Sequence, residues 1–291
     1  MNTQKGQLDK DYRKQVEKGI AIQGFEGCFH QVAARTFFHK EIPVICCATF
    51  RELIKKASDK KESSGAVMAI ENSIAGSILA NYNLLQSSDL KIVGEVYLQI
   101  KQNLLVNPGV SLEDIREVHS HPMAIQQCTT FLDKYNWKLV ETEDTALSAK
   151  HVHQHKSKHI AAIASKLSAD LYGLDILAPN IHTQKNNYTR FLVLRRNAEV
   201  VVVENANKAS VNFSTDHKKG SLAKVLTKIA DAGINLSKLQ SFPIPGSDWL
   251  YSFHADMEFD DLNNFNRLIN NLLKITSELK VYGIYQSGNL K

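Results

Sequence analysis

The sequence predicts an α/β protein with a second, smaller βαββαβ unit, and three observations predict it. From Ile20 to about Arg196, short β-rich runs alternate with stretches of helical period, the pattern of an α/β domain. Near Glu204 to Ala209 the composition shifts to small and polar residues, as a linker does. From "SVNFST" onward the order strand, helix, strand, strand, helix, strand is the ferredoxin-like arrangement.

Each element has its own signal. The strand candidates of the first domain are "IAIQGF", "IPVICCATF", "GAVMAI", "KIVGEVYLQI", "NLLV", "IREVHS", "KLVET", "HIAAIA" and "RFLVLRR", rich in β-branched residues and bounded by polar or turn residues. Helices are expected from about His30 to His39, Arg51 to Ser58, Ser73 to Gln86, Pro122 to Tyr135, Thr145 to His151 and Ala164 to Tyr172. In the second unit, "SLAKVLTKIADAG" should end at Gly233 as a C′ glycine, and "PIPGSD" should turn the chain between two strands.

A chain of 291 residues, 43% hydrophobic and 22% charged, has enough apolar material for two cores. Its net charge of +5 is mild and scattered, which argues against nucleic acid and for a small anionic ligand. Cys28, Cys46, Cys47 and Cys128 are too irregularly spaced for a disulfide framework or a zinc site, so reduced thiols in a cytoplasm are expected. The first residues are charged and lack an apolar signal core, and no apolar run approaches the ~18 residues that span a bilayer. His151, His153, His155 and His159 are interleaved with lysines and lack an acidic ligand, which makes a solvated helix end and no metal the expectation. Alternation in "PVICCATF" sends Cys46 and Cys47 to opposite faces as packing residues.

Four turns share one design, in which a strand ends, polar residues follow and a helix begins. They hold Gly27, Cys28 and His30; Glu71, Asn72 and Ser73; Ser120 and His121 before Pro122; and Asp144 with Thr145. Helix starts of this kind leave backbone N–H groups that favour a carboxylate or phosphate. Short polar residues are also ordinary N-caps, but capping does not call for a carboxylate, an amide and a hydroxyl in succession. In "NNYTRFLVL", Thr189 and Arg190 stand at the entrance of an apolar strand.

These stretches, with "IVGEVYLQIKQNLL", "NIHTQKNNYTRFLVL", "GSLAKVLTKI" and "INLSKLQSFP", give the chain a resemblance, in order and spacing, to the prephenate dehydratases that carry a C-terminal ACT regulatory domain. The resemblance implies an N-terminal extension over residues 1–19, a catalytic domain over 20–200 with two α/β lobes like a periplasmic binding protein, and an ACT domain over 207–291. It implies conversion of prephenate to phenylpyruvate without cofactor or metal, in a cytoplasmic dimer or tetramer paired through ACT domains, with phenylalanine as effector and no membrane or nucleic-acid partner. Arogenate dehydration and amino-acid sensing without catalysis are the alternatives.

For the site, the resemblance implies Thr189 as donor to the departing hydroxyl. Arg190 either pairs a substrate carboxylate or an enzyme one. Asn72 and Ser73 are expected to hydrogen-bond the substrate, as are Ser120, Gln127 and Thr145. Glu71 either touches substrate or fixes Arg190 or a turn N–H. The effector site is expected at Gly220, Ser221 and Leu222 with Gln240 and Ser241, where "QSFP" replaces the family's "ESRP" and should alter the ligand response. Thr183, Gln102, Met123 and Cys28 also depart from the family pattern.

Overall fold

The computed structural model describes residues 18–39, 41–197, 200, 205–244, 246–247 and 250–289. All but the last two residues of the expected N-terminal extension, Lys18 and Gly19, lie outside them, as does Glu204 at the start of the expected linker. The described chain falls into two compact units, one of residues 18–89, 96–194 and 289, the other of 90–95 with 195–288.

In the first unit, apart from residues 90–95 and 195–196, β1 (Ile20–Gln23), β2 (Val44–Cys47), β3 (Ala66–Asn72), β5 (Leu90–Gln99) and β11 (Tyr188–Arg196) form a sheet of order β2-β1-β3-β11-β5, with the two-residue β4 (Gly76–Ser77) on β3. β1 runs parallel to β2 and β3, whereas β11 returns antiparallel to β3. Ala66 to Ile70 are buried without alternation, as expected of a strand covered on both faces. A second sheet, in the order β10-β6-β9-β7-β8, is built from β6 (Asn103–Val106), β7 (Glu117–Ser120), β8 (Lys138–Glu141), β9 (Ile160–Ala164) and β10 (Asp175–Ala178). Leu104, Val106, Val118, Ala161 and Ile163 supply one core of this lobe, and Leu105, Ala149, Val152 and Ala162 the other.

The chain passes from the first lobe to the second after β5 and returns before β11. The two crossings pair with each other, Ile100 N donating to Asn187 O and Ile181 N to Gln102 O, both at 2.8 Å.

The helices correct several expectations. No helix begins at Ser73: Asn72 Oδ1 accepts from the N–H groups of Ile74 and Ala75, Gly76 adopts φ +79°, and β4 folds back on β3 before the helix Leu79–Gln86. The expected helix Pro122 to Tyr135 is two short ones, Pro122–Gln127 and Thr129–Leu132, broken at Cys128 with φ −113°. The helix at Thr145 runs on to His155, carrying exposed His151, His153 and His155, and stops at Lys156 in the left-handed region. The helix expected from Ala164 starts at Lys166, because Ser165 caps it by accepting from Ser168 N. Strand β10 lies in a stretch that carries no strand signal in the sequence.

The second unit realises the βαββαβ order: β12 (Lys208–Ser214), helix Ser221–Asp231, β13 (Asn235–Pro243), β14 (Tyr251–Glu258), helix Leu262–Leu272 and β15 (Glu278–Tyr285). Its sheet order β13-β14-β12-β15 is antiparallel throughout, and Val211, Phe213, Val225, Ile229, Met257, Phe265 and Leu268 pack between sheet and helices. Gly233 closes the first helix with φ +68°, as its sequence position suggested. Lys208 and Ala209, expected in the linker, already belong to β12. At Gly283 a Cβ would collide with the Ile92 carbonyl, so this position of β15 needs glycine. Among the described residues no helix is long and apolar enough to cross a membrane.

Candidate active site

The register of β11 on β3 sets Thr189 opposite Asn72 and Arg190 opposite Glu71. Directly beyond, Phe191 pairs with Ala69, so Ile70 is the extra residue of a β-bulge. The backbone groups around the bulge find side-chain partners: Ala69 N donates to His30 Nε2 at 3.2 Å, and Ala69 O accepts from Asn81 Nδ2 at 2.7 Å. His30 also meets Phe191 edge-on at 5.0 Å between ring centroids. His30 therefore supports the bulge that aims Thr189 and Arg190, and Asn81 is a residue the sequence did not mark.

Asn72 is the hub of the cluster. Its Nδ2 donates to Asn187 Oδ1 at 2.7 Å, Thr189 Oγ1 at 3.0 Å and Tyr188 O at 3.1 Å. Ser73 extends the ladder: its N–H donates to Tyr188 O, and its hydroxyl accepts from Tyr188 N at 2.9 Å and donates to Asn186 O. Arg190, 4% exposed, has its guanidinium 4.0 Å from Glu71 Oε2 and 5.9 Å from the Tyr97 ring centroid. Glu71 is thus the enzyme carboxylate within reach of Arg190. Thr189 is 9% exposed, and among the described residues nothing accepts from its hydroxyl.

The second-lobe candidates sit apart from this group, and no hydrogen bond joins their side chains to it among the described residues. Ser120 is fully buried and its hydroxyl donates to Ile163 O at 2.7 Å, which ties β7 to β9. Gln127 ends its helix with its carbonyl accepting from Thr183 N at 2.7 Å, and Thr183 Oγ1 donates to Thr130 Oγ1. A threonine thus serves at this departure from the family pattern as a tie between crossing and helix. Thr145 opens its helix behind the N-cap Asp144, whose Oδ1 accepts from Ala146 N and Leu147 N. Burial pushes the Asp144 carboxyl above its usual range, opposed by those N–H groups.

The Gly24 to Gly27 turn reaches from the first lobe to the second. Gly27 O accepts from Ser165 Oγ at 2.6 Å and Ser168 Oγ at 3.1 Å, and Tyr172 OH donates to Glu26 O at 2.7 Å. Gly27 has φ +95°, and a Cβ there would stand 2.6 Å from Ser168 Oγ and 3.0 Å from its Cα. Gly27→Ala is expected to cost about 1–3 kcal/mol of stability and to lower kcat/KM by loosening this tie, measured by urea unfolding and steady-state kinetics. Unchanged values of both would remove the turn from the account.

Burial lowers the His30 imidazole to a pKa of about 3, so it stays neutral in the folded protein. The unfolded chain takes up a proton there below about pH 6.5. The unfolded state thus binds more protons between these limits, and His30 contributes stability that is complete above about pH 6.5 and lost as pH falls towards 3, at up to about 1.4 kcal/mol per unit. His182, also lowered by burial, works in the same direction. His30→Gln keeps an acceptor for Ala69 N–H without titrating and is expected to flatten the fall of the urea midpoint between about pH 6 and 4.5. An identical slope in the variant would contradict this.

The four cysteines are free; Cys28, Cys47 and Cys128 are buried and Cys46 half-buried, and burial raises all four thiols, Cys47 to about 11 and Cys128 to about 12. Among the described residues no group of three His, Cys, Asp or Glu side chains could hold a metal. In the second unit Ser221 and Leu222 help line a groove of about 370 Å³ with Thr215 to Lys219, Leu250, Tyr251 and Phe253. Gly220 precedes that helix with φ +81°, whereas Gln240 and Ser241 lie on the neighbouring β13 opposite His254 and Phe253. Phe242, in place of the family's arginine, is buried.

Two α/β lobes joined by paired crossings, with a hydroxyl held at the mouth of a buried strand, define a two-lobed α/β protein carrying a small βαββαβ unit. A family model, prephenate dehydratase, matches residues 20–199. The chain belongs to the prephenate dehydratase family. It is 35% identical over 276 residues to a bifunctional chorismate mutase/prephenate dehydratase of Enterobacter agglomerans, covering 93% of this chain and 71% of that one. It is also 35% identical to arogenate dehydratase/prephenate dehydratase 1, chloroplastic, of Arabidopsis thaliana, covering 91% and 71%. Among solved structures, GqqA, described as a novel type of quorum-quenching acylase, superposes with TM-score 0.83 at 30% identity, covering 92% of this chain and 97% of that one. The prephenate dehydratase of Arthrobacter aurescens in complex with L-Phe follows at TM-score 0.79 and 26% identity, covering 92% and 90%.

Proposed function

We propose that residues 20–200 convert prephenate to phenylpyruvate, carbon dioxide and water. The observation that carries this reading is the Thr189 hydroxyl, which accepts from Asn72 Nδ2 and keeps its own proton for another acceptor. The bond from the ring to its carboxylate breaks, and that electron pair enters the ring. The ring C–O bond breaks, and hydroxide leaves with its electron pair and takes up one proton. The ring becomes aromatic, so the protein has to hold the substrate and assist the leaving oxygen. A threonine hydroxyl is a weak acid, so Thr189 acts as an aimed hydrogen-bond donor and the proton arrives through water.

In this reading Asn72 positions Thr189, Ser73 fixes the turn beside it, and a buried Arg190 guanidinium stands against the half-buried Glu71 carboxylate at the strand mouth. Gln127 and Thr145 present polar groups from helices of the second lobe, and Ser120 braces the sheet behind them. No cofactor or metal enters the reaction. The arogenate relatives favour a second substrate, which differs by an amine in place of the keto group. The acylase neighbour favours a third reading, amide hydrolysis. Rates of phenylpyruvate formation from prephenate, phenylalanine formation from arogenate, and hydrolysis of an N-acyl amide, measured on one preparation, separate the three; the account expects prephenate to be the fastest.

Residues 207–291 form, in the same proposal, an ACT domain that pairs with that of a second chain in a cytoplasmic dimer or tetramer. Gly220, Ser221 and Leu222 border its effector groove, with Gln240 and Ser241 on the adjacent strand. With Phe242 and Gln240 in place of an arginine and a glutamate, the pocket lacks a charge pair, so calorimetric titration is expected to show phenylalanine binding weakly and inhibiting incompletely. Tight binding with full inhibition would contradict this.

A further inference from the structure

We propose that Asn187 is a positioning residue for the reaction: through Asn72 it fixes which way the Thr189 hydroxyl points its proton. The proposal rests on Thr189 acting on the leaving hydroxyl. Its basis is a chain of hydrogen bonds whose direction is forced from one end. Two backbone N–H groups, of Ile74 and Ala75, both point at one end of the Asn72 carboxamide at 2.9 Å, so that end must be oxygen. The other end is then the amide nitrogen, which donates to Asn187 and to Thr189 Oγ1. The Asn187 atom facing it must in turn be oxygen.

The Asn72 amide has two protons and three acceptors around it. The shortest of the three contacts is to Asn187 Oδ1, at 2.7 Å against 3.0 and 3.1 Å. Asn187 thereby holds one proton along its own direction and leaves the second for Thr189 Oγ1 and the neighbouring carbonyl. With one lone pair so occupied, the Thr189 proton must turn away from Asn72. Asn187 is 1% exposed, and its carbonyl accepts from Ile100 N in the paired crossings, so its side chain is anchored where the lobes join. Its Nδ2 has no partner among the described residues, so the part of the side chain in use is the oxygen.

The chemistry predicts a graded set of variants. Asn187→Ala removes the acceptor and is expected to lower kcat about ten-fold, the weight of one neutral hydrogen bond, with KM within about two-fold. In a Thr189→Val background Asn187→Ala should lower kcat by less than about two-fold more, since its effect passes through Thr189. A full rate for Asn187→Ala, or an equal loss in both backgrounds, would overturn the proposal.

A readout independent of turnover comes from the Asn72 side-chain amide protons in the 15N-labelled full chain. Faster exchange with water is expected in Asn187→Ala than in wild type; equal exchange in the two proteins would overturn the proposal. Wild-type protein inactive on both prephenate and arogenate would overturn the functional reading and this proposal with it. Active wild type with indifferent Asn187 variants overturns this proposal alone.

Discussion

Thr189→Val is expected to lower kcat by about 10²- to 10³-fold, the usual cost of removing one well-aimed donor to developing negative charge. Valine keeps the branched shape and suits a strand, so β11 and its apolar run from Phe191 to Leu194 should stay in place. The loss to the fold is one of three acceptors around Asn72 Nδ2, worth about 1 kcal/mol. KM should move little, because the hydroxyl matters most as the C–O bond breaks. Thr189→Ser, which restores the donor on a less constrained side chain, should recover most of the rate. A valine variant at full rate and with unchanged folding would remove Thr189 from the mechanism; one that loses rate only because it unfolds would leave it as a strand residue.

The largest expected effect on stability lies in the second unit. Lys208 Nζ sits 3.0 Å from Glu95 Oε1 and 3.5 Å from Glu258 Oε1, with the Lys208 and Glu95 side chains 2% and 0% exposed. Glu95 Oε1 also accepts from Gly288 N at 3.1 Å. Lys208→Met would leave the buried Glu95 carboxylate without its lysine, and breaking such a pair from one side typically costs about 3–5 kcal/mol. The double variant Lys208→Met, Glu95→Gln removes both charges and keeps an acceptor for Gly288 N, so it should be markedly more stable than the single one. Urea unfolding followed by tryptophan fluorescence and by circular dichroism would show both effects. A single variant within about 1 kcal/mol of wild type would mean that the carboxylate finds water or another donor.

Much of this architecture is written in local patterns. The apolar run after Thr189 announces a buried strand, Gly233 announces a helix end, and the order of elements after "SVNFST" is the ferredoxin-like one. The expectation of Thr189 as a donor and of Asn72 as a substrate contact rests on resemblance, since neither residue type in isolation distinguishes a donor from a cap; that Asn72 meets Thr189 shows only in the structure. What escaped the sequence depends on tertiary partners. Ser73 looked like an N-cap, but Asn72 Oδ1 takes two N–H groups of the turn and Gly76 allows the chain to fold back on β3.

The bulge at Ile70 leaves no mark in "AVMAIENS", because an unmatched residue exists only relative to the partner strand. Asn187 hides in the polar run "QKNNY", which reads as loop, although its side chain is buried against Asn72. Ser120 looked available at a strand end, yet its hydroxyl is taken by the Ile163 carbonyl on the neighbouring strand.

In the reaction proposed above, this chain removes carbon dioxide and hydroxide from prephenate in one step assisted by Thr189. The most direct measurement is to incubate the purified chain with prephenate at neutral pH and follow phenylpyruvate and carbon dioxide together, with Thr189→Val alongside. Wild type should give equal amounts of the two products, and the variant a rate about 10²- to 10³-fold lower. Prephenate left unconsumed by wild-type protein, or consumed equally fast by both, would contradict it.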